Sequence, residues 1–166
     1  MKILVMGLPG AGKTWLSERL QKAIPDCAWY NADKIRAMAE DWDFSEDGRL
    51  RQSQRMRNVA DFEDDNGRTV ICDFVCPLRE TRDIFDADIL IWVNTLEEGR
   101  FEDTNKMFEE PDGTEARAYY EITDYMTDQE IEEFANGLKE EELNENGYVE
   151  VFGDSNDVPD FLRNNR

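Results

Sequence analysis

A chain of 166 residues, 40% of them hydrophobic, is the size of one ordinary domain and carries enough apolar side chains to bury a core. Lys and Arg number 19 against 39 Asp and Glu, a formal charge of −20, which disfavours duplex nucleic acid and anionic membranes and by itself names no partner. Three cysteines, Cys27, Cys72 and Cys76, with no histidine argue against a disulfide framework and Cys/His zinc sites, so a reduced, cytoplasmic setting is expected.

Residues 2–6, KILVM, read as a strand buried on both faces, too short for a secretory or membrane-spanning segment. After a glycine-rich loop, KTWLSERLQKAI from Lys13 has the spacing of an amphipathic helix that stops before Pro25. CAWY (27–30) predicts a second strand, and ADKIRAMAE a helix with Asp33 near its start. A longer helix is expected from Gly48 to about Asp65, closed by DNG at 65–67. TVICDFV (69–75) predicts the third strand, RETRDIF a short helix and ADILIWVN (87–94) the fourth strand.

The text then turns polar and aromatic-spotted, with a turn signal at Pro111-Asp112-Gly113, and predicts a mobile lid or substrate loop over about 96–125. Thr127 and Glu130 form a capping box for a last helix that stops near Gly137. YVEVF (148–152) is a candidate fifth strand, and the tail reads as a frayed turn of helix. Apolar strands alternating with helices predict an α/β fold: one domain over 1–166, three layers, and a mostly parallel sheet of about five strands.

Gly7, Gly10, Gly12, Lys13 and Thr14 match the P-loop pattern G-x-x-x-x-G-K-[ST], with Pro9 and Ala11 inside it. Its position between a strand and a helix is the required context. Backbone N–H groups and the helix start would cradle phosphates, Lys13 would reach the β/γ phosphates, and Thr14 would offer its hydroxyl to Mg²⁺. The expected ligands are therefore ATP and Mg²⁺. A small-molecule kinase, a nucleic-acid kinase or motor and a nucleotide-switched regulator all use such a loop, and a single domain of this size favours the first.

Arg36, Arg49, Arg51, Arg55, Arg57, Arg68, Arg79 and Arg82 are concentrated in the middle of an acidic chain, and arginine forks suit phosphate and sulfate. Arg51 and Arg55 stand at i,i+4 and read as one solvated helix face. Phe44 is either a core aromatic or a stacking surface for a base. Asp33 and Asp73 follow strands two and three, at the carboxyl ends where α/β sheets hold ligands. One of the two would take the attacking hydroxyl's proton or orient that hydroxyl, and the other would hold Mg²⁺ through water, a helix N-cap being the alternative for Asp33. A carboxylate inside ICDF is expensive to bury without a partner.

GLPGAGKTWLSERL, NADKIR, DFSEDGR and NVADFEDDNGRTVICDFVCPLRETRD, in this order and spacing, resemble the adenylylsulfate kinase family over about the first 95 residues. The family's motifs run G-L-x-G-x-G-K-[ST], D-G-D-x-[VI]-R, G-F-S-x-x-x-R, E-V-A-K-L-x-x-x-x-G and I-S-P-Y-R-x-x-R-D. The resemblance implies a P-loop kinase that phosphorylates the 3′-hydroxyl of adenylylsulfate with MgATP. Carried over position by position, it makes Asp33 the residue that activates the hydroxyl and Arg36 and Arg49 the clamp on the phosphosulfate. Phe44 becomes the adenine stack, Gln52 stands at an acceptor-binding asparagine, and Arg79 and Arg82 fall on P-Y-R-x-x-R. Asn31, Cys76, Leu78 and Glu102 depart from the pattern; Glu102 stands at the arginine of the lid segment R-D-x-K-G-L-Y, with Arg100 or Lys106 as replacements. Relatives that dimerise make a homodimer an expected assembly. Two other readings are a kinase for another nucleoside, nucleotide or nucleic-acid hydroxyl, and an ATP-binding regulator without transfer.

Overall fold

The computed structural model describes residues 1–140 and 148–152. Its strands are β1 (Lys2–Met6), β2 (Cys27–Asn31), β3 (Thr69–Asp73), β4 (Ile89–Val93), β5 (Ala118–Ile122) and β6 (Tyr148–Phe152). They form one sheet in the order β2-β3-β1-β4-β5-β6, every neighbouring pair parallel. The helices are α1 (Lys13–Ala23), α2 (Ala32–Ala39), α3 (Glu46–Asp65), α4 (Arg79–Phe85), α5 (Glu102–Met107) and α6 (Asp128–Glu140).

The apolar runs of β1 and β4 show no alternation because both faces of the sheet are covered. Ile3 and Val5 of β1 pack with Leu16 and Leu20 of α1 and with Phe134 and Leu138 of α6. Leu4 and Met6 pack on the opposite face with Met56 and Ala60 of α3 and Phe85 of α4. The three layers are thus written in the pleat of one strand. Chain connections leaving β1 and β3, which are neighbours, run towards opposite edges of the sheet, and this opens a crevice at their carboxyl ends. Met6 with the glycine loop on one side and Asp73 on the other flank that crevice.

Two expectations are corrected here. The sheet has six strands, because residues 118–122, read as part of the lid, form β5 in the core. Ala118, Tyr119, Tyr120 and Ile122 are all at most 4% exposed. Two tyrosines and a glutamate made this segment look like loop, while pairing to β4 decides it. The last helix also runs through Gly137 to Glu140; a Cβ at Gly137 would meet nothing within 4 Å, so this glycine marks open space rather than a stop. The capping box forms as expected, Thr127 N donating to Glu130 Oε2 at 2.6 Å and Glu130 N to Thr127 Oγ1 at 3.2 Å. Residues 148–152 are a strand, the sixth, and the tail expectation lies outside the described residues. Among the described residues no helix is long and apolar enough to cross a membrane.

Candidate functional site

The glycine loop begins at Gly7, whose φ is +150° and where a Cβ would stand 2.4 Å from the carbonyl oxygen of Val93. Only glycine lets β1 turn so closely against the end of β4. The loop ends at Gly12, the left-handed N-cap of α1, which makes no side-chain capping bond. No acidic side chain stands in the first turn of α1, so its N–H groups remain available to an anion.

Lys13 opens this helix, and its Nζ donates to the Leu8 carbonyl at 3.0 Å. Burial lowers its pKa from 10.5 to about 8, against the opposing pull of Asp73 and Asp33. Between those two values the unfolded chain holds a proton that the folded one lacks, so stability rises with pH through that window. Holding a triphosphate would need the charged form. Above pH 8 the affinity for MgATP is expected to fall by up to about tenfold per pH unit, with about one proton taken up on binding. Calorimetric titration in buffers of different ionisation enthalpy measures that proton; an affinity flat to pH 9.5 would contradict it.

A cavity of about 1000 Å³ runs from the glycine loop to the segment between α2 and α3, and Lys13, Thr14, Asp33, Arg36, Phe44 and Arg49 share it. Pro9, Gly10, Gly12, Gln52 and Asp73 also line it. Asp73, buried at the end of β3, accepts from Thr14 Oγ1 at 3.2 Å and from Asn31 Nδ2 at 2.9 Å. Burial raises its pKa, opposed by these two bonds among others. The cap of α2 is Asn31, whose Oδ1 accepts from Lys34 N at 3.1 Å. This leaves Asp33 exposed in the first turn at the cavity, without the capping role open to it.

Across the cavity Arg36 is only 4% exposed, and its Nη1 donates to the carbonyls of Asp41 and Asp43 at 2.9 and 3.0 Å. Its guanidinium lies 4.5 Å from the Phe44 ring centroid, with that of Arg49 at 5.5 Å. Arg49 Nε donates to the Phe44 carbonyl at 3.0 Å and Nη2 to Thr104 Oγ1 at 3.3 Å. Phe44 is therefore a half-exposed ring carrying two cations, not a core aromatic.

Arg79, expected at the acceptor from its place on the P-Y-R-x-x-R motif, is elsewhere. Arg79 does not line the cavity: its Nη1 donates to Asp112 Oδ2 at 3.2 Å and its Nη2 to Thr114 Oγ1 at 3.1 Å. Arg82 is buried against Glu115, each side chain 1% exposed, and also donates to the Cys76 carbonyl at 3.0 Å. Both arginines tie residues 109–115 to α4. Lys106 pairs with Glu102 at 2.8 Å, whereas Arg100 extends over the glycine loop, 3.6 Å from where a Cβ on Gly10 would sit.

Sequence reasoning did not single out Trp42 and Phe101, which are 54% and 60% exposed and line the cavity, or Tyr125, which covers Gly12 at 3.4 Å from a Cβ there. Their signal, an exposed aromatic, is invisible until burial is known. Among the described residues no group of three acidic, cysteine or histidine side chains could hold a metal alone. Thr14 and Asp73 instead fit a Mg²⁺ that arrives with a triphosphate, since that ion takes a few hard protein oxygens and completes its shell with phosphate and water.

Residues 1–96 match the family described as adenylylsulphate kinase. An adenylyl-sulfate kinase of Shewanella pealeana is 33% identical over 97 residues, which are 53% of this chain and 47% of that protein; the chain spans about half the length of this relative. A sugar kinase of Janibacter sp. superposes with a TM-score of 0.63 at 17% identity, covering 81% of this chain and 91% of that one. The Mycobacterium tuberculosis APS kinase, solved with AMPPNP and APS, superposes with a TM-score of 0.60 at 18% identity over 83% and 94% of the two chains. The fold is that of P-loop kinases.

Proposed function

Because this chain belongs to the adenylylsulphate kinase family, we propose that it transfers the γ-phosphoryl group of MgATP to the 3′-hydroxyl of adenylylsulfate, an activity of sulfate assimilation. The observation that carries this reading is one cavity with Lys13 and Thr14 at one end, the Arg36, Phe44 and Arg49 group at the other, and Asp33 beside them. The pairing of donor and acceptor agrees with the AMPPNP and APS named for the Mycobacterium tuberculosis enzyme.

In this mechanism the glycine loop and Lys13 hold the β- and γ-phosphates. Arg36 and Arg49 hold the acceptor's anionic end and Phe44 stacks on its base. Asp33 takes the 3′-hydroxyl proton as that oxygen bonds to the γ-phosphorus and the bond to the ADP oxygen breaks. Thr14 and Asp73 would hold a Mg²⁺ arriving with the triphosphate, and the ion would supply charge neutralisation at the phosphates. Arg100 extends from the lid towards the same phosphates. Removing the stack by Phe44→Ala should raise the acceptor KM about tenfold with the ATP KM unchanged. Steady-state kinetics with each substrate varied in turn would show it, and equal effects on both would argue against stacking.

A second reading, a kinase for a less highly charged nucleotide or nucleoside, is favoured by the carboxylates that neutralise Arg79 and Arg82. The deciding experiment supplies MgATP with adenylylsulfate, adenosine nucleotides, deoxynucleosides and a 5′-hydroxyl oligonucleotide in separate reactions and follows phosphate transfer. Transfer to adenylylsulfate supports the first reading; transfer only to another acceptor replaces it with the second; no transfer leaves an ATP-binding regulator.

A further inference from the structure

Three arginines converge on Asp41, in the segment between α2 and α3. Arg51 forks onto its carboxylate, Nε to Oδ2 at 2.8 Å and Nη2 to Oδ1 at 3.0 Å. Arg55 Nη2 donates to Oδ2 at 2.9 Å, while Arg36 Nη1 takes the Asp41 carbonyl instead. Arg51 and Arg55, read from their spacing as a solvated face, are bound into this node. Arg55 also reaches further: its Nη1 donates to Gln52 Oε1 at 2.5 Å, and Gln52 Nε2 donates to the Ala32 carbonyl at 3.1 Å. Ala32 is the residue before Asp33.

We propose that Asp41 and Arg55, acting through Gln52, are positioning residues: a strut that sets the loop carrying Trp42 and Phe44 at a fixed distance from the turn carrying Asp33. The assignment goes beyond the proposed function and rests on it only for the identity of the acceptor. Neither Asp41 nor Arg55 lines the cavity, so neither is placed to touch a ligand. Gln52 lines it, but both ends of its amide are engaged within the protein.

The geometry needs such a device. An acceptor stacked on Phe44 reacts only if its hydroxyl meets Asp33, and an error of about 1 Å costs on the order of 10²-fold in rate. α2 has eight residues, too few to hold its own first turn rigidly in water. α3 has 20 and presents Gln52 and Arg55, three apart, on one face. The loop rests directly on its first turn: a Cβ on Gly48 would stand 2.2 Å from the Asp43 carbonyl oxygen. Thus both halves of the acceptor site take their position from one long helix. The same pairing consumes the charges of Asp41 and Asp43 with Arg51 and Arg55, while Arg36 comes no nearer than 4.0 Å to the Asp41 carboxylate. Arg36 keeps its charge for an anion.

The test uses Arg55→Met in the full chain. The acceptor KM should rise about tenfold and kcat fall about tenfold, with the ATP KM within about twofold of wild type. Hydrogen–deuterium exchange of the free protein should rise together at 32–36 and 41–45. Arg55→Lys keeps the charge beside Asp41 but lacks the fork that spans to Gln52, and should leave 32–36 as loose as Arg55→Met does. Exchange that rises at 41–45 alone, or an ATP KM that climbs with the acceptor KM, would overturn the strut. If Arg55→Met does not fold, Asp41→Asn is read by the same two-segment exchange. Should wild type fail to phosphorylate adenylylsulfate, the proposed function falls, and the exchange result still decides the strut.

Discussion

Replacing Asp33 with Asn is expected to lower kcat about 10³-fold while the affinity for MgATP changes by less than about twofold. The side chain is exposed in the first turn of α2, and the capping bond that would have given it a structural task belongs to Asn31. Its loss should therefore not move the melting temperature by more than a degree or two. The carboxylate shares a cavity with Lys13 and Thr14, so it can stand beside a hydroxyl aimed at the γ-phosphate. Asparagine keeps the size and a carbonyl oxygen but cannot take the proton. Turnover and ATP binding measured on the same preparation separate the roles: a variant retaining a tenth of wild-type kcat would remove Asp33 as proton acceptor, and lost ATP binding would make it a donor-site residue.

The second large effect concerns stability. Arg82→Met should destabilise the fold by about 3 kcal/mol, because it removes the close counter-ion of the buried Glu115 carboxylate and leaves only Arg79, at 4.0 Å, beside it. For a chain of this length that is a drop of roughly 10 °C in melting temperature. The companion variant Arg82→Met/Glu115→Leu, which removes both charges, should recover most of the loss, since replacing a buried pair by apolar groups is often neutral. Calorimetric melting of the two proteins provides the check. A double variant as unstable as the single one would show that the Arg82 bond to the Cys76 carbonyl, not the ion pair, carries the stability.

The front of the molecule was legible because its signals are local. A strand, a glycine loop and a helix can be recognised from adjacent residues, and the P-loop pattern specifies its own geometry. The apolar runs of β3 and β4 announce burial on both faces. Residues 118–122 gave no such announcement: Tyr119, Tyr120 and Glu121 mix polar atoms into a core strand, and only the partner β4, some 30 residues earlier, makes sense of them. The acceptor arginines show a related limit. Arg36 and Arg79 are alike in sequence, yet one lies under a ring at the cavity and the other is consumed by Asp112 and Thr114. Which cation stays available depends on where the acidic partners fall, and in a chain with 39 acidic residues they fall almost everywhere.

The order of the sheet also governs how the protein is made. β1 leaves the ribosome well before both of its neighbours, which lie far downstream, β3 at Thr69–Asp73 and β4 at Ile89–Val93. Until those residues have emerged it has no strand to pair with, and parallel pairing over such separations is intrinsically slow. Gly7 packs on the carbonyl of Val93, so the glycine loop gains its last wall at the same moment. Nucleotide binding by a nascent chain would then be a late event, appearing only when residues up to about 93 have left the exit tunnel, and it would report that the centre of the sheet has closed.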